Sequence, residues 1–213
     1  MPTNFMFDGP EHARVTILLS HGAGAPMDSA SMNATTKVLA AGGFRVARFE
    51  FGYMAARRTG DRKPRPKAEK VMPEFVAAID DLGPTNGPLI IGGKSMGGRV
   101  ASMIADAEFA AGRIVGLLCL GYPFHPPGKP TQLRTAHLLD LKTPTLICHG
   151  TRDEFGTRDE VSEYPLSNAI EMFWLEDGDH DLKPRKAISG FTTAQHLTSV
   201  ADKVTEWVNR IAP

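Results

Sequence analysis

The residues with the clearest capacity for chemistry are Gly93-Lys94-Ser95-Met96-Gly97. A serine hydroxyl is a weak nucleophile until it is exposed, aimed and relieved of its proton by a neighbour. The pattern G-x-S-x-G meets the first two conditions when it joins a strand to a helix. The serine then sits on a tight, strained turn, and the flanking glycines leave the backbone room. Here IIGG reads as the strand and RVASMIADAEFA as the helix. Two other glycine readings are disfavoured. A phosphate-cradling P-loop ending in Gly93-Lys94-Ser95 would need glycine at residue 88, which is Pro88. A dinucleotide fingerprint at Gly22-Ala23-Gly24 would need a third glycine where Met27 stands.

A serine nucleophile needs a base and an orienting acid, carried in this topology by loops after later strands, acid first. Thr151-Arg152-Asp153 follows TLICHG, and Asp177-Gly178-Asp179-His180-Asp181 follows MFWLE. His180 is therefore expected to accept the Ser95 proton, and Asp153 to hold the other ring nitrogen and stabilise the imidazolium. Asp159 and Asp177 are alternative acids, and Asp179 and Asp181 are expected to make the turn. Among the other histidines, His149 and His21 lie at strand ends and His125 and His137 in a loop. His21 reads as a structural group and His196 as a surface residue. A tetrahedral intermediate needs backbone N–H groups aimed at its oxyanion. Met96, directly after the serine, and Ala23, in the His21-Gly22-Ala23-Gly24 loop, are the expected donors.

These groups need a scaffold that brings strand ends together. Apolar runs recur at 15–20, 44–51, 88–93, 113–121, 143–150 and 169–176, bounded by Gly and Pro. Such runs suit strands of a parallel sheet covered on both faces. Helical spacing links Met72, Phe75, Val76, Ile79 and Leu82, then Val100, Met103, Ile104 and Ala107, then Leu197, Val200, Val204, Trp207, Val208 and Ile211. Alternating strands and helices imply an α/β fold with a mostly parallel, doubly wound sheet of about six to seven strands. No linker divides the chain, so residues 1–213 are expected to form a single domain. The connection from Tyr122 to Lys142 is the only room for a cap and is short, so the site is expected to be open. Phe124, Pro126 and Pro127 are expected along one wall.

Composition narrows the function. The 213 residues carry 24 Lys and Arg against 24 Asp and Glu, a zero formal charge that argues against a nucleic-acid partner. No apolar run approaches the ~20 residues of a membrane span. The start, MPTNFMFDGPEHAR, lacks the basic and apolar regions of an export signal. Cys119 and Cys148 sit inside apolar runs, as expected of a cytoplasmic protein with reduced thiols.

HGAG, GKSMGGR, HGTRDEFG and DGDHDLK together resemble the α/β-hydrolases. They are similar to the small dienelactone-hydrolase-like group, and more closely to the testis-expressed and NSL-complex-subunit-like hydrolases. The resemblance implies a Ser95–Asp153–His180 triad and a mechanism free of cofactor and metal. The nucleophile of true dienelactone hydrolases is a cysteine; Ser95 stands here, so a dienelactone substrate does not follow. The expected function is hydrolysis of an ester, thioester or similar acyl bond of a small molecule. The alternative is a non-catalytic interaction module on the same scaffold, since some relatives are complex subunits.

One segment stands apart. Residues 52–67 read as irregular and hold six cationic side chains against one acid, Asp61. The plain reading is a solvated surface loop; the sharper one, from its place after a strand and near the site, is that it attracts an anionic substrate, with Arg57 and Arg58 the expected contacts.

Overall fold

The computed structural model describes residues 2–61 and 64–213; Arg62 and Lys63 of the basic segment lie outside the described residues. The strands are β1 (Phe5–Asp8), β2 (Thr16–Ser20), β3 (Arg45–Phe49), β4 (Leu89–Lys94), β5 (Gly116–Leu120), β6 (Thr145–Gly150) and β7 (Ile170–Leu175). The helices are α1 (Ala30–Ala41), α2 (Gly52–Arg58), α3 (Ala68–Leu82), α4 (Met96–Ala110), α5 (Arg158–Ser162), α6 (Lys186–Ser189) and α7 (Thr193–Ile211). A 3-10 turn covers Ala136–Leu138.

The strands form one sheet in the order β1-β3-β2-β4-β5-β6-β7. Only β1 runs antiparallel to its neighbour. β2, β5 and β6 are buried along their whole length, as apolar strands between two helical layers should be. Alternate side chains serve opposite layers. Ile17 and Leu19 of β2 pack with Leu39 of α1 and Val200, Val204 and Trp207 of α7. Leu18 joins Phe75 and Ile79 of α3 and Val100 and Ile104 of α4 on the other face. The polar motifs all leave the carboxyl ends of parallel strands, where ligands of such sheets bind. Among the described residues no helix is long and apolar enough to cross a membrane.

The six expected strands are present, and the structure adds a seventh. β1 is four residues long and half-buried, and it is a strand only because β3 pairs with it. Three further expectations are corrected. The segment after β3 is not irregular throughout: Gly52–Arg58 is helical, with Tyr53 and Met54 buried. Ala107 lies outside the buried stripe of α4 and is exposed. His196 is buried, and its Nδ1–H donates to the Leu182 carbonyl at 2.9 Å.

Close approach at the carboxyl end of β2 requires a glycine at 97. A Cβ there would lie 2.6 Å from the Ser20 carbonyl oxygen and 2.7 Å from that of His21. Gly24, in the neighbouring loop, has open space around the same position. Gly97→Ala is expected to lower stability by about 1–3 kcal/mol through forced backbone displacement. Gly24→Ala should meet no such clash. Urea unfolding of both variants beside the parent checks the contrast.

Candidate active site

Ser95 occupies the turn between β4 and α4 with φ 51° and ψ −116°. Positive φ in a serine costs energy, of order 1–3 kcal/mol, and persists only where the surroundings enforce it. Its N–H donates to the Leu120 carbonyl of β5 at 3.0 Å, and its own carbonyl accepts from Arg99 N at 3.0 Å inside α4. The turn is thus held from the sheet and from the helix, and its hydroxyl is left half-buried at the site.

His180 meets that hydroxyl, and Asp153 meets His180 from the other side of the ring. His180 Nε2 lies 2.8 Å from Ser95 Oγ, and His180 Nδ1 lies 2.8 Å from Asp153 Oδ2. An ionised carboxylate only accepts, so Nδ1 carries the proton and Nε2 accepts from the serine. Asp153 is fully buried, and its Oδ1 accepts from Phe155 N at 2.9 Å. Burial raises its pKa, but the hydrogen bond to His180 and the nearby His149 outweigh this, and the carboxyl titrates below the ordinary range. The Phe155 ring stacks on His180 with centroids 4.1 Å apart.

The loop carrying His180 is clamped at several points. Asp177 and Leu182 both take positive φ, 55° and 62°. The Asp177 carboxylate accepts from Arg185 N and its guanidinium, which draw its pKa down to about 2. Asp179 Oδ1 accepts from the amides of Asp181 and Lys183, both at 2.9 Å. The buried His196 holds Leu182 from α7. On the sheet side, Lys94 Nζ donates to the His180 carbonyl and stands 3.4 Å from Asp181. Burial lowers the Lys94 pKa, with the negative charges of Asp181 and Asp153 opposing it. Gly121, at φ 63°, makes this contact accessible: a Cβ there would lie 2.7 Å from the His180 oxygen and 3.1 Å from Lys94 Nζ.

Ala23 and Met96 both line the cavity beside Ser95, and neither backbone N–H has an acceptor among the described residues. The alternative acids lie elsewhere. Asp177 is occupied by Arg185, and Asp159 sits in the first turn of α5. Of the other histidines, His21 donates from Nδ1 to Gly22 O at 2.6 Å and accepts from Phe51 N at 3.2 Å, a structural role. His125 is buried with Nδ1 on the Pro126 carbonyl. His137 forms a second Ser–His pair with Ser102 at 2.8 Å, but Ser102 is buried and bonded to its own helix backbone. His149 donates from Nε2 to Gly156 O at 2.9 Å and stands 3.4 Å from Asp153.

The cavity has a volume of about 630 Å³. Pro126 and Pro127 line it as expected; Phe124 does not, being buried in the core with Tyr122 and His149. Arg57 and Arg58 are also absent from the lining, against expectation. Helix α2 carries them away. Arg58 binds Asp28 and Glu50, with shortest contacts of 2.7 Å to each, and the Arg57 guanidinium lies over the Tyr53 ring at 5.4 Å. Arg65 and Lys67 from the same basic segment reach the cavity instead, with Arg99 and Arg134. Arg99 could have been sought in the sequence, one helical turn beyond Ser95; Arg134, in an irregular loop, gave no signal. Among the described residues no cluster of His, Cys, Asp and Glu is arranged to hold a metal ion.

A seven-stranded, mostly parallel sheet, flanking helices and a serine on the turn after a central strand define the class. The chain belongs to the α/β-hydrolase domain family, whose profile matches residues 13–209. Its structure is similar to that of Est1E from Butyrivibrio proteoclasticus, solved with ferulic acid bound, with TM-score 0.72 and 15% identity over 98% of this chain and 95% of that one. Dienelactone hydrolase from Anabaena variabilis gives TM-score 0.71 and 20% identity over 99% and 93%. An α/β serine hydrolase without lid from Xanthomonas campestris gives TM-score 0.70 and 17% identity over 99% and 90%. At these identities the likeness concerns the fold.

Two expectations follow. Asp153→Asn keeps the shape but favours the wrong His180 tautomer, so hydrolase turnover should fall by up to about 10⁴-fold, while Asp177→Asn should act mainly on stability. Steady-state kinetics and urea midpoints separate the two. The second concerns pH. Burial pushes the His149 pKa from 6.5 down to about 4, against the opposing pull of Asp153. In that interval the unfolded chain takes up a proton that the folded chain refuses. His149 thus contributes stability that is complete above about 6.5 and lost as pH falls toward about 4, about 3 kcal/mol in all. Urea midpoints from pH 7.5 to 4.5 should fall less steeply in His149→Gln than in the parent. His21 and His137, also lowered by burial, leave a residual slope of the same sign.

Proposed function

We propose that the protein is a serine hydrolase that cleaves an ester, thioester or similarly activated acyl bond of a small substrate. The observation that carries this reading is the continuous hydrogen-bonded series from Ser95 Oγ through His180 to the buried Asp153, opening on a cavity. Ser95 Oγ attacks the acyl carbon as its proton passes to His180 Nε2. The oxyanion of the tetrahedral intermediate takes hydrogen bonds from the N–H groups of Met96 and Ala23, where removal of one donor costs about 100- to 1000-fold in turnover. Collapse breaks the bond to the leaving oxygen or sulfur, which takes the proton from His180, and leaves the acyl group on Ser95. A water then gives its proton to His180 and attacks the acyl carbon. Ser95 leaves, recovers the proton, and the acid is released. Asp153 holds the tautomer throughout and stabilises the imidazolium.

The connection from β5 to β6 supports an uncapped site. Between Leu120 and Thr145 it contains one 3-10 turn and no α-helix. The Xanthomonas neighbour is itself described as a serine hydrolase without lid. Two apolar clusters on opposite faces of one sheet support a single domain over residues 1–213.

A fluorophosphonate probe tests the reading. The parent protein should be labelled at Ser95, and Ser95→Ala should lose labelling and about 10⁴- to 10⁶-fold of its p-nitrophenyl esterase turnover with an unchanged urea midpoint. A folded parent that neither labels nor turns over p-nitrophenyl esters or thioesters would leave the interaction module as the reading of this scaffold.

A further inference from the structure

The cavity beside Ser95 is far more positive than the chain that forms it. Its lining carries five cationic side chains, Arg65, Lys67, Lys94, Arg99 and Arg134, and two carboxylates, Glu69 and Asp181, in a protein of zero formal charge. Both carboxylates are occupied. Glu69 Oε1 accepts from Arg99 Nη2 at 2.7 Å, and Asp181 stands between Lys94 at 3.4 Å and Lys183 at 3.3 Å. Among the described residues, no carboxylate pairs with Arg65, Lys67 or Arg134.

Arg65, Lys67 and Arg134 line one cavity together with Arg99. Burial lowers the half-buried Arg134 guanidinium below its ordinary pKa, and repulsion from Arg99 and Arg65 lowers it further. Arg99 Nε is buried and has no hydrogen-bond partner. These residues come from three separate stretches of chain: α4, the segment before α3, and the loop after β5. Like charges gathered around a cavity repel one another, most where the wall is partly buried, as at Arg99 and Arg134. A compact oxyanion placed among them would relieve that repulsion and accept two hydrogen bonds from one guanidinium.

We propose that Arg99 and Arg134, with Arg65 and Lys67 at the rim, form an anion subsite, and that the substrate carries a carboxylate or phosphate group separate from its scissile acyl bond. This inference rests on the hydrolase reading of Ser95 and supplies the substrate class that reading leaves open. A carboxylate would lie on the acyl side of the substrate, whereas a phosphate could belong to the leaving group.

Two matched pairs of substrates distinguish these sources. p-Nitrophenyl hydrogen glutarate is compared with its methyl ester, in which a neutral ester replaces the remote carboxylate, each rate taken after subtraction of the enzyme-free hydrolysis. Butyryl-coenzyme A is compared with butyryl-N-acetylcysteamine, which lacks the phosphates. At low salt the anionic member of at least one pair should have the higher kcat/KM, by about 10-fold or more, the scale of a charge-assisted hydrogen bond. High salt should reduce the ratio. Arg134→Gln should bring it close to one, and Arg134→Lys should restore part of it. Lys37→Gln, an exposed α1 residue outside the cavity lining, should leave it unchanged. If Arg134→Gln does not fold, the exposed pair Arg65→Gln and Lys67→Gln should lower the ratio in smaller measure.

Calorimetric binding of glutarate and of free coenzyme A to Ser95→Ala, with and without the same cation changes, needs no nucleophile. Turnover of the neutral esters without anionic preference in either pair, and without cation-dependent binding, would overturn the subsite and keep the hydrolase. Binding that depends on Arg134 in a protein whose Ser95 neither labels nor turns over would keep the subsite and overturn the hydrolase.

Discussion

The structure is organised around the backbone of one serine. At φ 51° and ψ −116°, Ser95 adopts a conformation that its own side chain resists. Its amide is tied to Leu120 on β5, and its carbonyl starts the hydrogen-bond ladder of α4. The room for this turn comes from missing side chains. Cβ atoms at Gly93 or Gly97 would lie 2.6 Å from the Ser20 carbonyl oxygen. Close packing of β2, β4 and the start of α4 therefore places the hydroxyl, and the same packing brings the Ala23 loop alongside it. Strain of this kind survives only where the surrounding fold is stiff. The fully buried β2 and β5 on either side of β4 provide that stiffness.

The other half of the site depends on burying charge safely. Asp153 has no exposed surface, so its carboxylate must be satisfied by donors inside the protein. Phe155 N and His180 Nδ1 supply them. Lys94 anchors the backbone of His180 from the strand that also leads into Ser95. Ser95 and His180 are thus referred to the same strand, and in the proposed hydrolase displacement of either by an ångström would cost about 100-fold in rate.

The wall of the cavity has a different logic. Paired cations such as Arg58 with Asp28 and Glu50, or Arg185 with Asp177, fasten loops. Arg134, Arg65 and Lys67 fasten nothing by ion pairing among the described residues. Charges that structure does not consume, gathered where an uncapped site meets solvent, are available to a ligand.

The strand–turn–helix setting of Ser95, the order of Asp153 and His180, and the main helical stripes were legible because each depends on local spacing: a period of two or 3.6 residues, or a motif beside a strand. The sequence therefore determined the sheet class and the residues able to react, while their meeting within hydrogen-bond distance is a product of strand order. β1 escaped notice because four residues become a strand only through β3. His196 read as surface because nothing nearby in the chain announces that the Leu182 carbonyl will need a donor. The basic segment was legible as a charge excess but not as a geometry. Arg57 and Arg58 turn away on α2, while Arg65 and Lys67 join Arg99 and Arg134 from distant stretches of chain. Which cation is neutralised and which is left open depends on acids far away in sequence, such as Asp28 for Arg58 and Asp8 for Arg48. Charge pairing acts through space over a few ångströms, so only the folded chain could decide it.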